Sequence, residues 1–351
     1  MIEPLYSPAA DRYENGMLYR RCGQSGILLP AISLGFWHNF GDVNSLANAK
    51  AITHFAFDHG ITHFDLANNY GPSYGSAEET LGLLMQKSFS PYRDELFIST
   101  KAGHDMWPGP YGNWGSRKHL MSSLDQSLRR MHLDYVDVFY SHRYDPETPL
   151  EETLQALVDI VRQGKALYVG LSKYPKDKAE VAYQYLKTHD VPCLVYQGRY
   201  NLFSRDVESQ GILTHARNHG AGFVAFSPLA QGLLTDRYIH GIPDDSRMAH
   251  NHFLKKDTLT DEVHNRILAL RQIAETREQT LAEMALAWLL KDQNVTSVII
   301  GASSVGQLED NLKALRHTRF SHEELEKINH ITGFSPASAN LEQTSGADCQ
   351  T

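Results

Sequence analysis

Two alternating periodicities constrain this chain more than anything else in it. Short runs of β-branched, aromatic and aliphatic residues alternate with longer stretches in which apolar residues recur at every third and fourth position. Residues 31–35, 62–66, 96–101, 136–142, 167–172, 194–197, 222–227 and 297–301 read as strands. Residues 44–59, 77–86, 117–131, 150–163, 179–189, 207–219, 261–278, 281–290 and 307–315 read as helices. Leu120, Leu124, Leu128 and Met131 share one helical face, with Ser116 as the expected N-cap. Thr148-Pro149-Leu150-Glu151 reads as a capping box with proline at N1. Eight strand–helix repeats predict a (β/α)8 barrel, an α/β TIM barrel. Residues 17–29 alternate around Gly23 and Gly26 and predict an N-terminal β-hairpin lidding the barrel floor. A doubly wound sheet is disfavoured, because no strand–helix junction carries G-x-G-x-x-G. The glycine-rich run 109–115 (GPYGNWG) has no strand directly before it and reads as a flexible aromatic loop. One domain is expected over residues 1–332, followed by a mobile Ser/Ala/Gln-rich tail over 333–351.

Composition narrows the function. With 33 Lys and Arg against 41 Asp and Glu, the formal charge of the 351 residues is −8, which argues against nucleic acid as a partner. Apolar runs stay well short of the roughly 18 residues a membrane span needs, so no membrane partner is expected. The polar, acidic first 16 residues lack the basic and apolar regions of a secretory signal. Three scattered cysteines, Cys22, Cys193 and Cys349, suit a reducing cytoplasm. Despite 18 histidines there is no H-E-x-x-H and no close Cys/His cluster, so no metal is expected.

The strand ends carry the chemistry. In a barrel of this type the interior is packed and reactive groups gather at the C-terminal mouth. Strands two to eight end on Asp65, Lys101, His142, Ser172, Gln197, Ser227 and Gly301, and Tyr70 follows Asp65 by five residues. An aspartate at the end of an apolar strand is costly to desolvate unless paired. Lys101, on the adjacent strand about 4.8 Å away, is a partner within reach.

In the runs GITHFDLANNYG, ISTKAG and YSHR, the set Asp65, Tyr70, Lys101 and His142 resembles the catalytic tetrad of the aldo-keto reductases. The wording resembles the branch that holds bacterial L-glyceraldehyde 3-phosphate reductases and voltage-gated potassium-channel β subunits, and the likeness runs from about Leu18 to about Leu315. It implies an NADPH-dependent oxidoreductase that reduces small aldehydes, of the glyceraldehyde 3-phosphate and methylglyoxal kind, to alcohols. Tyr70 would donate the proton, Lys101 held by Asp65 would make it a better acid, and His142 would orient the carbonyl oxygen.

The same resemblance implies the cofactor contacts. Trp37 would wall the nicotinamide, Ser172 and Gln197 would hold its carboxamide, and Phe226 would stack on the ring. Ser227, Pro228, Leu229, Gln231 and Gly232 would pass under the pyrophosphate, with Arg237 as a charged partner. Gly301, Ser303 and Gln307 would take the 2′-phosphate at a helix N-terminus, and Asn311 would face the adenine. Lys173 departs from the family's usual Asn or Arg after the strand-five serine. Around the mouth, Trp37, His38, Asn68, Trp107, Tyr111 and Trp114 are expected to meet a small-molecule aldehyde, with Arg143 and Arg247 as candidate phosphate contacts. A channel-type regulatory β subunit is the alternative, disfavoured because that group has Asn where this chain has His142. A Schiff-base lyase is disfavoured by the Asp65 carboxylate beside Lys101. The sequence leaves a homo-oligomer open.

Overall fold

The computed structural model describes residues 6–239 and 258–335. Its centre is a closed barrel of eight parallel strands, preceded by an antiparallel hairpin. The hairpin strands are β1 (Tyr19–Arg21) and β2 (Leu28–Pro30). The barrel strands are β3 (Ile32–Gly35), β4 (His63–Asp65), β5 (Phe97–Ala102), β6 (Val136–Ser141), β7 (Ala166–Ser172), β8 (Cys193–Arg199), β9 (Gly222–Phe226) and β10 (Ser297–Ile300). They pair in chain order, and β10 closes on β3 through Ile299↔Ser33. Each crossover is helical, as a parallel sheet buried on its outer face requires.

The closure works because each strand feeds two cores. The outward side packs against amphipathic helices; Leu120, Leu124, Leu128 and Met131 of the helix Arg117–Met131 are all buried there, and Ser116 accepts from the His119 N–H as its N-cap. The barrel interior holds a second cluster: Val138, Tyr140, Leu194, Val195, Val224 and Ile299, plugged from below by Cys22 and Leu29 of the hairpin. Gly23 explains how closely that plug docks. Its φ is +58°, and a Cβ there would lie 2.0 Å from the Gly220 carbonyl oxygen, so only glycine fits. The Gln24 N–H donates to the same oxygen.

Several boundaries differ from expectation, each for a local reason. No capping box forms at Thr148: the helix Leu150–Arg162 has Pro149 at its N-cap. The Thr148 hydroxyl and N–H both go to the Asp145 carboxylate, which also accepts from the Gly115 and Glu147 N–H groups. A charged acceptor outcompetes the weaker reciprocal cap. The stretch 207–219 is two short helices, Asp206–Ser209 and Ile212–Asn218, split where Gly211 adopts φ +69°. After Ser76–Leu84 the chain winds through a π turn (Met85–Phe89) and a 3-10 turn (Ser90–Glu95) before β5. A final helix, His322–Thr332, was not expected; it starts with a Ser321–Glu324 capping box and ends at Gly333 with φ +68°. The Arg205 guanidinium lies 3.4 Å from the Phe334 ring centroid. The rest of the expected tail, from 336 on, lies outside the described residues, as do Arg247 and Cys349.

Candidate active site

Register decides which side chains meet at the mouth. Asp65 is the partner of Ser99, Lys101 of Tyr140, and Ser172 of Gln197, so the strand ends rise to nearly one level. Asp65 and Lys101 are almost completely buried, and Nζ of Lys101 lies 2.6 Å from Oδ2 of Asp65. Nζ also donates to the Leu66 carbonyl at 2.6 Å. Oδ1 of Asp65 accepts from Ser99 Oγ at 2.8 Å and Gln197 Nε2 at 3.0 Å. Three donors therefore meet this carboxylate, and at least one reaches each oxygen, which is what an ion pair needs to survive burial. Gln197, expected only as a cofactor contact, also helps to hold Asp65.

Below Asp65 runs a line of polar side chains. Ser99 Oγ is 3.0 Å from His63 Nε2, His63 Nδ1 is 2.8 Å from Ser33 Oγ, and Ser33 is hydrogen-bonded to Ser297. All four are fully buried. Since Ser99 gives its one proton to Asp65, His63 must donate through Nε2 and accept at Nδ1. Burial, the main cause, drops the His63 imidazole to about 4, so it is neutral at neutral pH. The line thus aims its donors in one direction, from Ser297 toward Asp65.

Above the pair sits a cavity of about 770 Å3. Asp65, Tyr70 and His142 line it, while Lys101 lies beneath, its Nζ 5.0 Å from the Tyr70 ring centroid. The Tyr70 and His142 rings meet edge to face at 6.0 Å. Burial, and secondarily the Asp65 carboxylate, push the Tyr70 phenol well above its ordinary value. Burial here outweighs the lowering expected from Lys101: that charge is largely matched by Asp65, and desolvation penalises the phenolate. Burial drops His142 well below its ordinary value, with Lys173 and Lys101 adding to the effect. Its Nδ1 is buried without a hydrogen-bond partner. Lys101 is lowered by burial, against the opposing pull of Asp65. The arrangement offers a protonated phenol and a neutral imidazole side by side over a buried ion pair, groups suited to protonating an oxygen that gains negative charge.

The cavity extends past this group along residues 227–232 and to the last barrel helix. Trp37, Gln197, Phe226, Ser227, Pro228, Leu229, Gln231, Gly232, Arg237, Gly301, Ser303 and Gln307 line it. Ser227 and Gln231 adopt φ of +54° and +59°, turning the segment sharply at the cavity wall. Gly301 leads into the helix Val305–Leu312, whose N-cap Ser304 accepts from the Gln307 N–H. Gln307 Oε1 accepts from the Ser303 N–H and hydroxyl, at 2.8 and 3.1 Å. Ser172 and Asn311 do not line the cavity; each is buried with a side-chain polar atom, Oγ and Nδ2, that has no hydrogen-bond partner.

The mouth differs from expectation in its aromatic and basic groups. Trp107, Tyr111 and Trp114 are not in the cavity wall. Trp107 packs beside His119, Tyr111 is exposed, and Trp114 lies under the Arg143 guanidinium at 3.6 Å. Asn68 is buried and donates to Ser123. Arg143 donates to the Gly103 carbonyl and to Asn113 and does not line the cavity. Lys173, His104 and Arg199 line the cavity instead. Lys173 has φ +55°, and its Nζ is 3.2 Å from His104 Nε2. Burial above all, with Lys101, Arg143 and Arg199 adding to it, lowers Lys173 to about 8; burial, then Lys173 and Arg143, lowers His104 to about 3. Arg199 was missed because β8 was expected to end at Gln197. Two residues on, it faces the same side of the strand, and that period of two was its signal.

The profile of the Aldo/keto reductase family matches residues 31–332. The chain belongs to this family. It is 55% identical over 320 residues to the L-glyceraldehyde 3-phosphate reductase of Escherichia coli (strain K12), covering 90% of this chain and 92% of that one. The protein of the same description from Escherichia coli O157:H7 is equally similar. A probable voltage-gated potassium channel subunit beta of Arabidopsis thaliana is 37% identical over 305 residues, 85% of this chain and 91% of that one. Aldo/keto reductases are oxidoreductases that generally use a nicotinamide cofactor. A single cavity lined by Asp65, Tyr70 and His142 and continuing along residues 227–232 agrees with membership. Among the described residues no helix is long and apolar enough to cross a membrane.

Proposed function

We propose that the protein reduces short aldehydes with NADPH, glyceraldehyde 3-phosphate foremost and methylglyoxal-like compounds among them, using Tyr70 as proton donor. The observation that carries this reading is the meeting of a protonated Tyr70 and a neutral His142 over the Lys101–Asp65 pair, in a cavity that continues along residues 227–232. When bound, the cofactor supplies the hydride. His142 holds the carbonyl oxygen, and Tyr70 gives up its proton as charge grows there. The phenolate left behind lies near the Lys101 ammonium, which the line from Ser297 through His63 and Ser99 to Asp65 keeps in place.

The residues fit a dinucleotide. The cavity runs from Tyr70 past Gln197 and residues 227–232 to Ser303 and Gln307, and so offers polar groups to a nicotinamide at one end and to an adenosine phosphate at the other. The helix N-terminus at Gly301–Gln307 is a site for the 2′-phosphate. At the reacting end, Lys173 and Arg199 supply positive charge suited to the phosphate of a triose. The relative's description as an L-glyceraldehyde 3-phosphate reductase supports that substrate. The decisive experiment is steady-state turnover with NADPH and NADH across glyceraldehyde 3-phosphate, glyceraldehyde, methylglyoxal and aromatic aldehydes. The expected order puts the phosphorylated triose first by kcat/KM, with NADPH moderately preferred. Much faster turnover of long aldehydes or ketosteroids than of every triose would overturn the substrate, and a preference for NADH would overturn the 2′-phosphate site.

A further inference from the structure

Outside the barrel, two neighbouring helices bring three metal-ligand side chains together. His215 and His219 stand one turn apart, at the end of the helix Ile212–Asn218 and its C-cap. Glu180 comes from the facing helix Lys176–Thr188. Oε2 of Glu180 lies 2.8 Å from His219 Nε2 and 3.2 Å from His215 Nε2. All three donor atoms lie within 4.8 Å of one another, the one such group among the described residues. The second contact is not a hydrogen bond: His215 Nε2 is shielded from solvent and has no hydrogen-bond partner. The rings are held in place from behind. Tyr183 stacks on His219 at 4.8 Å and leans on His215 at 5.6 Å.

We propose that Glu180, His215 and His219 form a binding site for a borderline divalent transition-metal ion of the zinc class, tying the helix after β7 to the helix after β8. Two imidazoles at i and i+4 plus a carboxylate are an N,N,O set that favours zinc, nickel or copper over magnesium and calcium. A tetrahedral ion with bonds of about 2.0–2.2 Å places its donors roughly 3.4 Å apart. The present separations from Glu180 need only about half an ångström of adjustment, leaving a fourth position for water. The ion would give His215 Nε2 the partner it lacks. The site is remote from the cavity mouth, so its role is to fasten the two helices, not to act in the reduction.

The test uses the full chain without an affinity tag, freed of metal by chelator and kept reduced. Equilibrium dialysis against zinc should show one site with a Kd in the micromolar range or tighter, and magnesium and calcium should not compete. His219→Ala, His215→Ala and Glu180→Gln should each weaken that site at least tenfold. His322→Ala, at an exposed His–Glu pair with a single imidazole, should leave it unchanged. Zinc at about a hundredfold excess over Kd should raise Tm of the wild type by a few degrees and that of His219→Ala by less than one. The site is overturned if the wild type takes up no zinc at about 100 μM, if the three variants bind as the wild type does, or if calcium binds equally well.

Discussion

At the scale of single residues, the proposed chemistry turns on one hydroxyl. Tyr70→Phe removes it with little loss of volume, so turnover should fall at least about 100-fold while NADPH affinity holds. Normal aldehyde reduction by this variant would dispose of the mechanism. Lys173 yields a sharper prediction, because its ammonium is lowered to about 8 in a cavity whose charged neighbours are cationic. Between pH 7 and 9 a phosphomonoester is already a dianion, so the charge that changes is the protein's. KM for glyceraldehyde 3-phosphate should rise as pH passes about 8, while KM for unphosphorylated glyceraldehyde stays flat. Lys173→Gln should raise KM for the phosphorylated aldehyde roughly tenfold or more at pH 7 and abolish that step. An unchanged KM would move the phosphate elsewhere in the mouth. The sequence made the tetrad readable because each member follows a strand or its loop. It hid His104, Arg199 and the diversion of Arg143, since loop side chains are placed by contacts such as Trp114 that no local pattern records.

At the scale of elements, the eight strands were legible from periodicity, whereas the polar line through the barrel was not. A run such as Ile98-Ser99-Thr100-Lys101 reads as buried strand whichever residues face inward. Only the register, with Asp65 opposite Ser99 and Ile299 opposite Ser33, shows that His63/Asp65 and Ser99/Lys101 are two-residue pairs on one inner face. The line has a consequence for stability. His63 is neutral when folded, at about 4, against an ordinary value of 6.5. The unfolded chain therefore binds this proton more tightly, so the contribution is fully present above about pH 6.5 and drains away as pH falls toward 4. The shift corresponds to about 3 kcal/mol once pH is below both values. His142 and His104 are depressed in the same direction and add to the loss. Urea unfolding at pH 7.0, 6.0 and 5.0 should show stability declining over that window. His63→Gln, less stable at pH 7, should show a shallower decline. Equal slopes in the two proteins would mean that His63 does not carry this linkage.

For the whole molecule, the barrel separates what holds it together from what it does. The floor is closed by the hairpin, with Gly23 against the Gly220 carbonyl and Cys22 and Leu29 in the interior cluster. The mouth carries the strained turns at Ser227 and Gln231, the crowded cations and the buried polar atoms without partners. Strained turns and crowded cations thus stand where a ligand would meet them, and tight packing closes the other end. Paired variants should therefore dissociate cleanly. Gly23→Ala forces a side chain into a left-handed conformation and into a carbonyl oxygen, so the hairpin must shift. Tm should drop by several degrees, yet kcat and KM per folded molecule should stay within about twofold of wild type. Ser303→Ala with Gln307→Ala touches only exposed groups at a helix start. Loss of that pair should change Tm by no more than a degree or two, raise KM for NADPH severalfold, and leave KM for NADH and kcat nearly unchanged. The grip rests on neutral donors and the helix terminus, with no arginine between Gly301 and Gln307, so the discrimination against NADH should be moderate. If the double variant bound NADPH as the wild type does, the 2′-phosphate would lie elsewhere. If Gly23→Ala instead damaged kcat while leaving Tm intact, the division between floor and mouth would be wrong.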